Sequence, residues 1–179
     1  YAAVGTGTNG ALHCLVVGPD DTLYVGGAFT TAGGNTAYRV AQWDGSSWSA
    51  MGNGFNGIPY ALAIHPQSGE LYAGGAFTTN NAGTETYNRI ARWTGAEWRA
   101  MDDGLDSSCY ALGFGPDGRL YAGGLFTAAG SLDLTDRLAI WNGSAWAHLD
   151  INLTGTPTVR ATECCRQDSG GHPKGHAGD

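Results

Sequence analysis

The sequence predicts an all-β fold made of β-propeller-type blades, as three four-stranded antiparallel repeats of about 48 residues. Three observations carry this. One motif recurs: Leu23-Tyr24-Val25-Gly26-Gly27-Ala28-Phe29-Thr30, then Leu71-Tyr72-Ala73-Gly74-Gly75-Ala76-Phe77-Thr78, then Leu120-Tyr121-Ala122-Gly123-Gly124-Leu125-Phe126-Thr127. Each copy is followed by two tryptophans, Trp43 and Trp48, Trp93 and Trp98, Trp141 and Trp146. Turn residues fall at matching offsets in all three copies, as short hairpin-linked strands require.

Taken in order, strand a of each unit is Leu12–Val17, Tyr60–Ile64 and Tyr110–Phe114. The a–b turns, such as Gly18-Pro19-Asp20-Asp21 and Gly115-Pro116-Asp117-Gly118, place Pro where it presets φ. Strand b is the recurring motif. Glycine weakens a strand interior unless something approaches closely, so the diglycine is expected to admit a tryptophan ring from a neighbouring strand or blade. Strand c is Arg39–Trp43, Arg89–Trp93 and Arg137–Trp141. The c–d turns are Asp44-Gly45, Thr94-Gly95 and Asn142-Gly143, and the Asp-Gly and Asn-Gly pairs read as type I′ hairpins. Strand d carries the second tryptophan.

In register, residues 1–7 match 48–54 and read as an orphan strand completing a neighbouring blade. Blade 1 is then 8–54, blade 2 is 55–104 and blade 3 is 105–155, followed by a partial strand and a polar Cys/His/Gly-rich tail over 156–179. A propeller typically closes with about four to eight blades. The expectation is completion by missing sequence or by another chain, as a ring of two three-bladed halves or as a head-to-tail fibre.

The order of diglycine strand, aromatic residue and a Trp about five positions on resembles the Kelch or galactose-oxidase type of propeller repeat. The chain departs from it in having Trp43, Trp93 and Trp141 where Kelch repeats usually have Tyr, and in a longer b–c segment. It is most similar to the Gly-Gly-x-Phe-Thr repeats of secreted bacterial surface proteins. That resemblance implies a binding or scaffolding role; the copper ligands of galactose oxidase map onto no residues here.

Composition narrows the function classes. The chain has 179 residues, a net charge of −7 and a pI near 5.0, so it lacks the basic stripe that a nucleic-acid partner needs. No apolar run is long enough for a membrane span, and no membrane insertion is expected. Low charge (14%), 30 glycines and four cysteines point to an extracellular or cell-surface setting.

Motifs that mimic chemistry dissolve in the repeat. Gly5-Thr6-Gly7-Thr8-Asn9-Gly10 fits a dinucleotide fingerprint, but so does Gly52-Asn53-Gly54-Phe55-Asn56-Gly57 at the same repeat position, and each joins two strands rather than opening a helix. His13, His65 and His148 occupy three different repeat positions, and no nucleophile–base pair or carboxylate pair stands out. No catalytic residue, cofactor or metal is expected; Cys164-Cys165 with His172 and His176 matches no standard zinc spacing. A disulfide from Cys109 to Cys164 or Cys165 would pin the tail to blade 3. Asn142 and Asn152 head N-glycosylation sequons.

The candidate ligand face is the long b–c loops, with Asn35, Tyr38, Asn80, Asn81 and Tyr87, each loop ending at a recurring arginine, Arg39, Arg89 or Arg137. Planar donors beside Asn and Tyr suit sugar hydroxyls or carboxylates, whereas recurrence in every blade favours a structural role for the arginines. Two functions follow. One is a non-enzymatic extracellular scaffold that self-assembles through its repeats as a homo-oligomer or fibre. The alternative is a lectin- or adhesin-like propeller binding a glycan or surface protein through the b–c face.

Overall fold

The computed structural model describes residues 5–134 and 137–148, and no described residue is helical. Blade 1 runs Leu12–Val17 (β1), Leu23–Gly27 (β2), Thr31–Ala32 (β3), Asn35–Thr36 (β4), Val40–Trp43 (β5) and Trp48–Ala50 (β6). Blade 2 runs Pro59–Ile64 (β7), Leu71–Gly75 (β8), Ile90–Trp93 (β9) and Trp98–Ala100 (β10). Blade 3 runs Cys109–Phe114 (β11), Leu120–Gly124 (β12), Ala128–Ala129 (β13), Leu132–Asp133 (β14), Leu138–Trp141 (β15) and Trp146–Ala147 (β16). Three antiparallel meanders result, β1-β2-β5-β6, β7-β8-β9-β10 and β11-β12-β15-β16. The register repeats, with Leu23 opposite Trp43, Leu71 opposite Trp93 and Leu120 opposite Trp141. These are propeller blades, standing side by side with β7 between β1 and β11, and among the described residues they close no ring.

Three details of the sequence reading change, two of them in the loops. The b–c segments are not plain loops: β3 and β4 pair in blade 1 and β13 and β14 in blade 3. The c–d turns are not type I′, because that turn needs positive φ at both central residues. Only the glycines have it, with φ of 95° at Gly45, 96° at Gly95 and 102° at Gly143. The first turn residue instead folds its side chain inward. Asp44 Oδ1 accepts from the Ser46 and Ser47 amides at 2.8 and 2.7 Å, and Asn142 Oδ1 accepts from those of Ser144 and Ala145 at 3.0 Å each. These are Asx turns, which Asp and Asn form readily.

Each blade offers one face to the blade before it and the other to the blade after it. Val40, Val16 and Tyr24 from blade 1 pack with Leu62, Ile64, Leu71 and Ala73 of blade 2. Ala61, Ala63, Tyr72 and Ile90 of blade 2 pack with Leu112, Leu120 and Ala122 of blade 3. The strand-d tryptophans stitch the same seams: Trp98 Nε1 donates to the Met51 carbonyl at 3.1 Å and Trp146 Nε1 to that of Met101 at 3.3 Å. The motif phenylalanines fill the loop-side end of the core. Phe77 stacks on Phe55 with ring centroids 4.0 Å apart, and Trp98 and Tyr87 close around Phe55 at 4.7 and 5.9 Å.

The diglycine does not admit an indole, which corrects the sequence expectation. A Cβ on the second glycine would run into the backbone of its own blade, at the Ala11 carbonyl for Gly27, Ile58 for Gly75 and Ser108 for Gly124. The β-bulge where strand a meets strand b brings that backbone close, between Leu12 and Cys14, Pro59 and Ala61, and Cys109 and Ala111. A Cβ on the first glycine would meet the next blade. For Gly26 it would lie 2.9 Å from Pro59 Cγ, and for Gly74 2.6 Å from Cys109 Sγ. The diglycine thus sets both the bulge and the spacing between blades.

Candidate functional site

On the b–c loop side, two of the recurring arginines, Arg39 and Arg89, hold successive blades together. The Phe55 amide donates to the Tyr38 carbonyl at 3.1 Å, and Arg39 Nη1 donates back to the Phe55 carbonyl at 2.7 Å. The Leu105 amide and Arg89 Nη1 repeat this with Asn88 and Leu105 carbonyls, both at 2.9 Å. Arg39, Arg89 and Arg137 all have positive φ, at 68°, 70° and 60°, a backbone setting that costs a non-glycine residue about 1 kcal/mol or more. A costly backbone repeated in every blade marks a structural clasp.

The other residues expected on this face divide. Asn80 is buried, with its Nδ2 donating to Thr84 Oγ1 at 2.8 Å and its Oδ1 accepting from the Thr84 amide at 3.0 Å. Tyr87 is buried and donates to Glu85 at 2.5 Å; burial, then the Glu85 carboxylate, holds its phenol well above the usual range. Asn35, Asn81 and Tyr38 stay exposed, and the Asn81 Oδ1 lies 3.5 Å from Arg39 Nη1. The structure therefore joins Arg39 to Asn81 but commits Asn80 and Tyr87 to the fold.

The motif threonines have partners that the sequence reading missed. Asn9 Oδ1 accepts from the Thr30 and Thr31 amides at 2.8 and 2.9 Å, and Asn56 Oδ1 does the same for Thr78 and Thr79 at 2.8 and 3.0 Å. Asp106 replaces asparagine in blade 3, accepting from Thr127 and Ala128 at 2.8 and 2.9 Å. An Asx residue two positions after the glycine of each d–a connection was the available signal.

The clefts open at the opposite, turn-bearing end. One lies between blades 1 and 2, has a volume of about 400 Å³ and is lined by Tyr24, Gln42, Glu70, Trp93 and Thr94 among others. Its equivalent between blades 2 and 3 has about 270 Å³ and is lined by Tyr72, Glu70, Arg92, His65, Trp141 and Asn142 among others. In the second, Arg92 Nη1 binds Glu70 Oε1 at 3.0 Å, while Tyr72 Oη and Ser68 Oγ each donate to Glu70 Oε2 at 3.3 Å. His65 Nδ1 accepts from the Gln67 and Ser68 amides at 3.2 and 3.1 Å, and its ring meets Phe114 edge-on at 4.9 Å. Of these cleft residues only Asn142 was among the sequence-derived candidates, as a sequon.

Cys109 is fully buried, and burial pushes its thiol up to about 12 against the smaller lowering effect of hydrogen bonds at Ala111 and Gly123. Its expected partners Cys164 and Cys165 lie outside the described residues, as does the sequon residue Asn152. Asn142 is exposed at its hairpin tip. No group of three or more His, Cys, Asp or Glu that could hold a metal occurs among the described residues.

The fold defines a protein built of β-propeller blades. In agreement, residues 18–42, from the a–b turn of blade 1 to its strand c, match a family described as a β-propeller domain of unknown function (DUF5122). No curated protein matches the chain.

Proposed function

We propose that the chain is a non-catalytic extracellular scaffold module that self-assembles by packing blade face on blade face. The bare incoming face of blade 1 carries this reading. Leu12, Leu15 and Val17 are 46%, 61% and 56% exposed. Their repeat counterparts in blade 3 are Cys109, fully buried, Leu112, 6% exposed, and Phe114, packed against the core. The difference is the blade in front: blade 2 covers blade 3, and among the described residues only Gly5–Gly7 precede the loop into blade 1. Gly5 does lie against Trp43 and Trp48 as Gly52 lies against Trp93 and Trp98, so the same kind of seam begins at this face.

The occupant that fits is another blade of this kind, supplied by a second copy. An exposed row of large aliphatic side chains on a sheet marks an interaction surface, and the two internal seams show its complement. Low charge and the glycine-rich turns support placement outside the cell, which fractionation of the source cells would test. Light scattering on the purified chain should give a mass at least twice the 18.5 kDa of one copy. A monodisperse single-copy particle across the micromolar range would overturn the assembly.

A further inference from the structure

We propose that the cleft between blades 2 and 3 binds one neutral pyranose unit of a saccharide, with Trp141 as the stacking platform and the Glu70–Arg92 pair as the hydroxyl reader. This site is separate from the blade faces that carry assembly. A pyranose has an apolar C–H face and a rim of hydroxyls that both donate and accept. Its receptor needs an aromatic wall and planar polar side chains with little net charge.

The cleft supplies both. Trp141 is half-buried and packs against Trp146 at a centroid distance of 5.2 Å. Phe114 is held edge-on by Tyr72 at 5.3 Å and forms further apolar wall. Opposite them, Arg92 and Glu70 lie 3.0 Å apart with side chains 41% and 34% exposed, leaving atoms of both open to solvent. Guanidinium and carboxylate neutralise one another, so the pair presents planar donors and acceptors at fixed spacing. An anionic ligand is disfavoured, because Arg92 is already paired and the chain carries −7.

Size agrees with a single ring. Pockets for small organic ligands span roughly 300–1,000 Å³, and about 270 Å³ lies just below that range. Blade repetition supplies a related cleft between blades 1 and 2, where Tyr24, Gln42 and Trp93 stand at the positions of Tyr72, Arg92 and Trp141 and Thr22 stands at that of Glu70. Two such clefts on one side of the molecule suit a polymeric glycan, since linked weak sites gain by avidity.

The test uses the full chain, produced in a host that does not N-glycosylate so that Asn142 at the cleft mouth stays bare. Glucose, galactose, mannose, N-acetylglucosamine, cellotetraose and chitotetraose are titrated to about 50 mM, followed by indole N–H resonances assigned through single Trp→Phe variants. At least one sugar should shift the Trp141 resonance saturably, with a Kd on the order of 1 mM. Arg92→Gln, a change at a half-exposed residue whose counterpart in blade 1 is Gln42, should weaken that binding about 10-fold while melting like the parent. Trp141→Ala should abolish it; should that variant fail to fold, Arg92→Gln and Glu70→Gln decide. No saturable shift with any of the six sugars overturns the proposal, and so does binding that both polar variants leave unchanged.

Discussion

At the scale of single residues, the repeat performs a controlled comparison on itself. Asn9, Asn56 and Asp106 do one job with two chemistries, each binding two backbone amides of the b–c segment. Burial raises the Asp106 pKa, but hydrogen bonds from Ala128 and Thr127 more than offset it, leaving the carboxyl below its ordinary 3.8. A depressed folded-state pKa stabilises the fold above the unfolded value and loses that contribution as pH falls through the folded one. The melting temperature should therefore drop between about pH 5 and pH 2, and Asp106→Asn should flatten part of that drop because asparagine serves at both equivalent sites. Parallel curves for parent and variant would show that Asp106 is not the acid-sensitive group. The diglycine gives a second comparison. Gly75→Ala drives a Cβ into the Ile58 carbonyl and into Pro59 Cα at 2.6 Å, contacts with rigid backbone. Urea denaturation should show a loss of several kcal/mol, at the upper end for a single substitution, roughly 3–5 kcal/mol.

At the scale of elements, the clasp between a b–c segment and the next blade is the feature to test. Arg89→Ala removes a charge-assisted bond to the Leu105 carbonyl but keeps the unfavourable φ of 70°. It should cost about 1.5–3 kcal/mol. Arg89→Gly loses the same bond but relaxes the backbone, so it should recover about 1 kcal/mol relative to Ala. If urea midpoints place the glycine variant below alanine, the φ is not strained in the way argued. The strands themselves were legible because alternation, Pro-Asp-Gly turns and tryptophan spacing each mark a local event. Strand a of blade 1 has the expected bounds, the other a and c strands differ by one residue at an end, and strand b stops three residues before the end of the motif, at its second glycine. What the sequence could not show depended on contacts between repeats. The glycines were read as room for a ring because nothing in one blade reveals the next blade's Pro59 or Cys109. The Asp-Gly and Asn-Gly pairs were read as I′ turns because their Asx alternative depends on a loop of four residues, 44–47 and 142–145, fixed by the register of Trp43 with Trp48 and Trp141 with Trp146. The arginine was visible as a repeat feature, and its recurrence in every blade favoured a structural role over ligand binding. The cleft residues Glu70, Tyr72, Arg92 and Trp141 are spread over two blades and meet only after folding.

At the scale of the whole molecule, the two outer faces are the two halves of the internal seam. The first glycine of each pair reports which half is filled: a Cβ at Gly74 would press on Cys109 Sγ at 2.6 Å, whereas at Gly123 the nearest described atom is Ala111 Cβ at 3.9 Å. Leu138 of blade 3 is half-buried where Val40 and Ile90 are fully buried. The outgoing face of blade 3 is thus the counterpart of the incoming face of blade 1, and copies joined this way associate head to tail. A heterologous contact of this kind continues until it closes a ring or ends in a fibre. That makes a specific prediction with two face variants. Leu15→Glu spoils only the incoming face, at a residue 61% exposed in the single copy. Gly123→Val spoils only the outgoing face, by filling the space that Gly74 keeps open for the next blade. Each variant alone should be a folded single copy by light scattering and circular dichroism. An equimolar mixture should form a dimer and nothing larger, because each partner brings one intact face and the remaining two are blocked. A symmetric face-to-face contact predicts otherwise, since the variant with the intact symmetric face would still dimerise alone. Mixtures that stay monomeric while the parent assembles would place the contact elsewhere on the molecule.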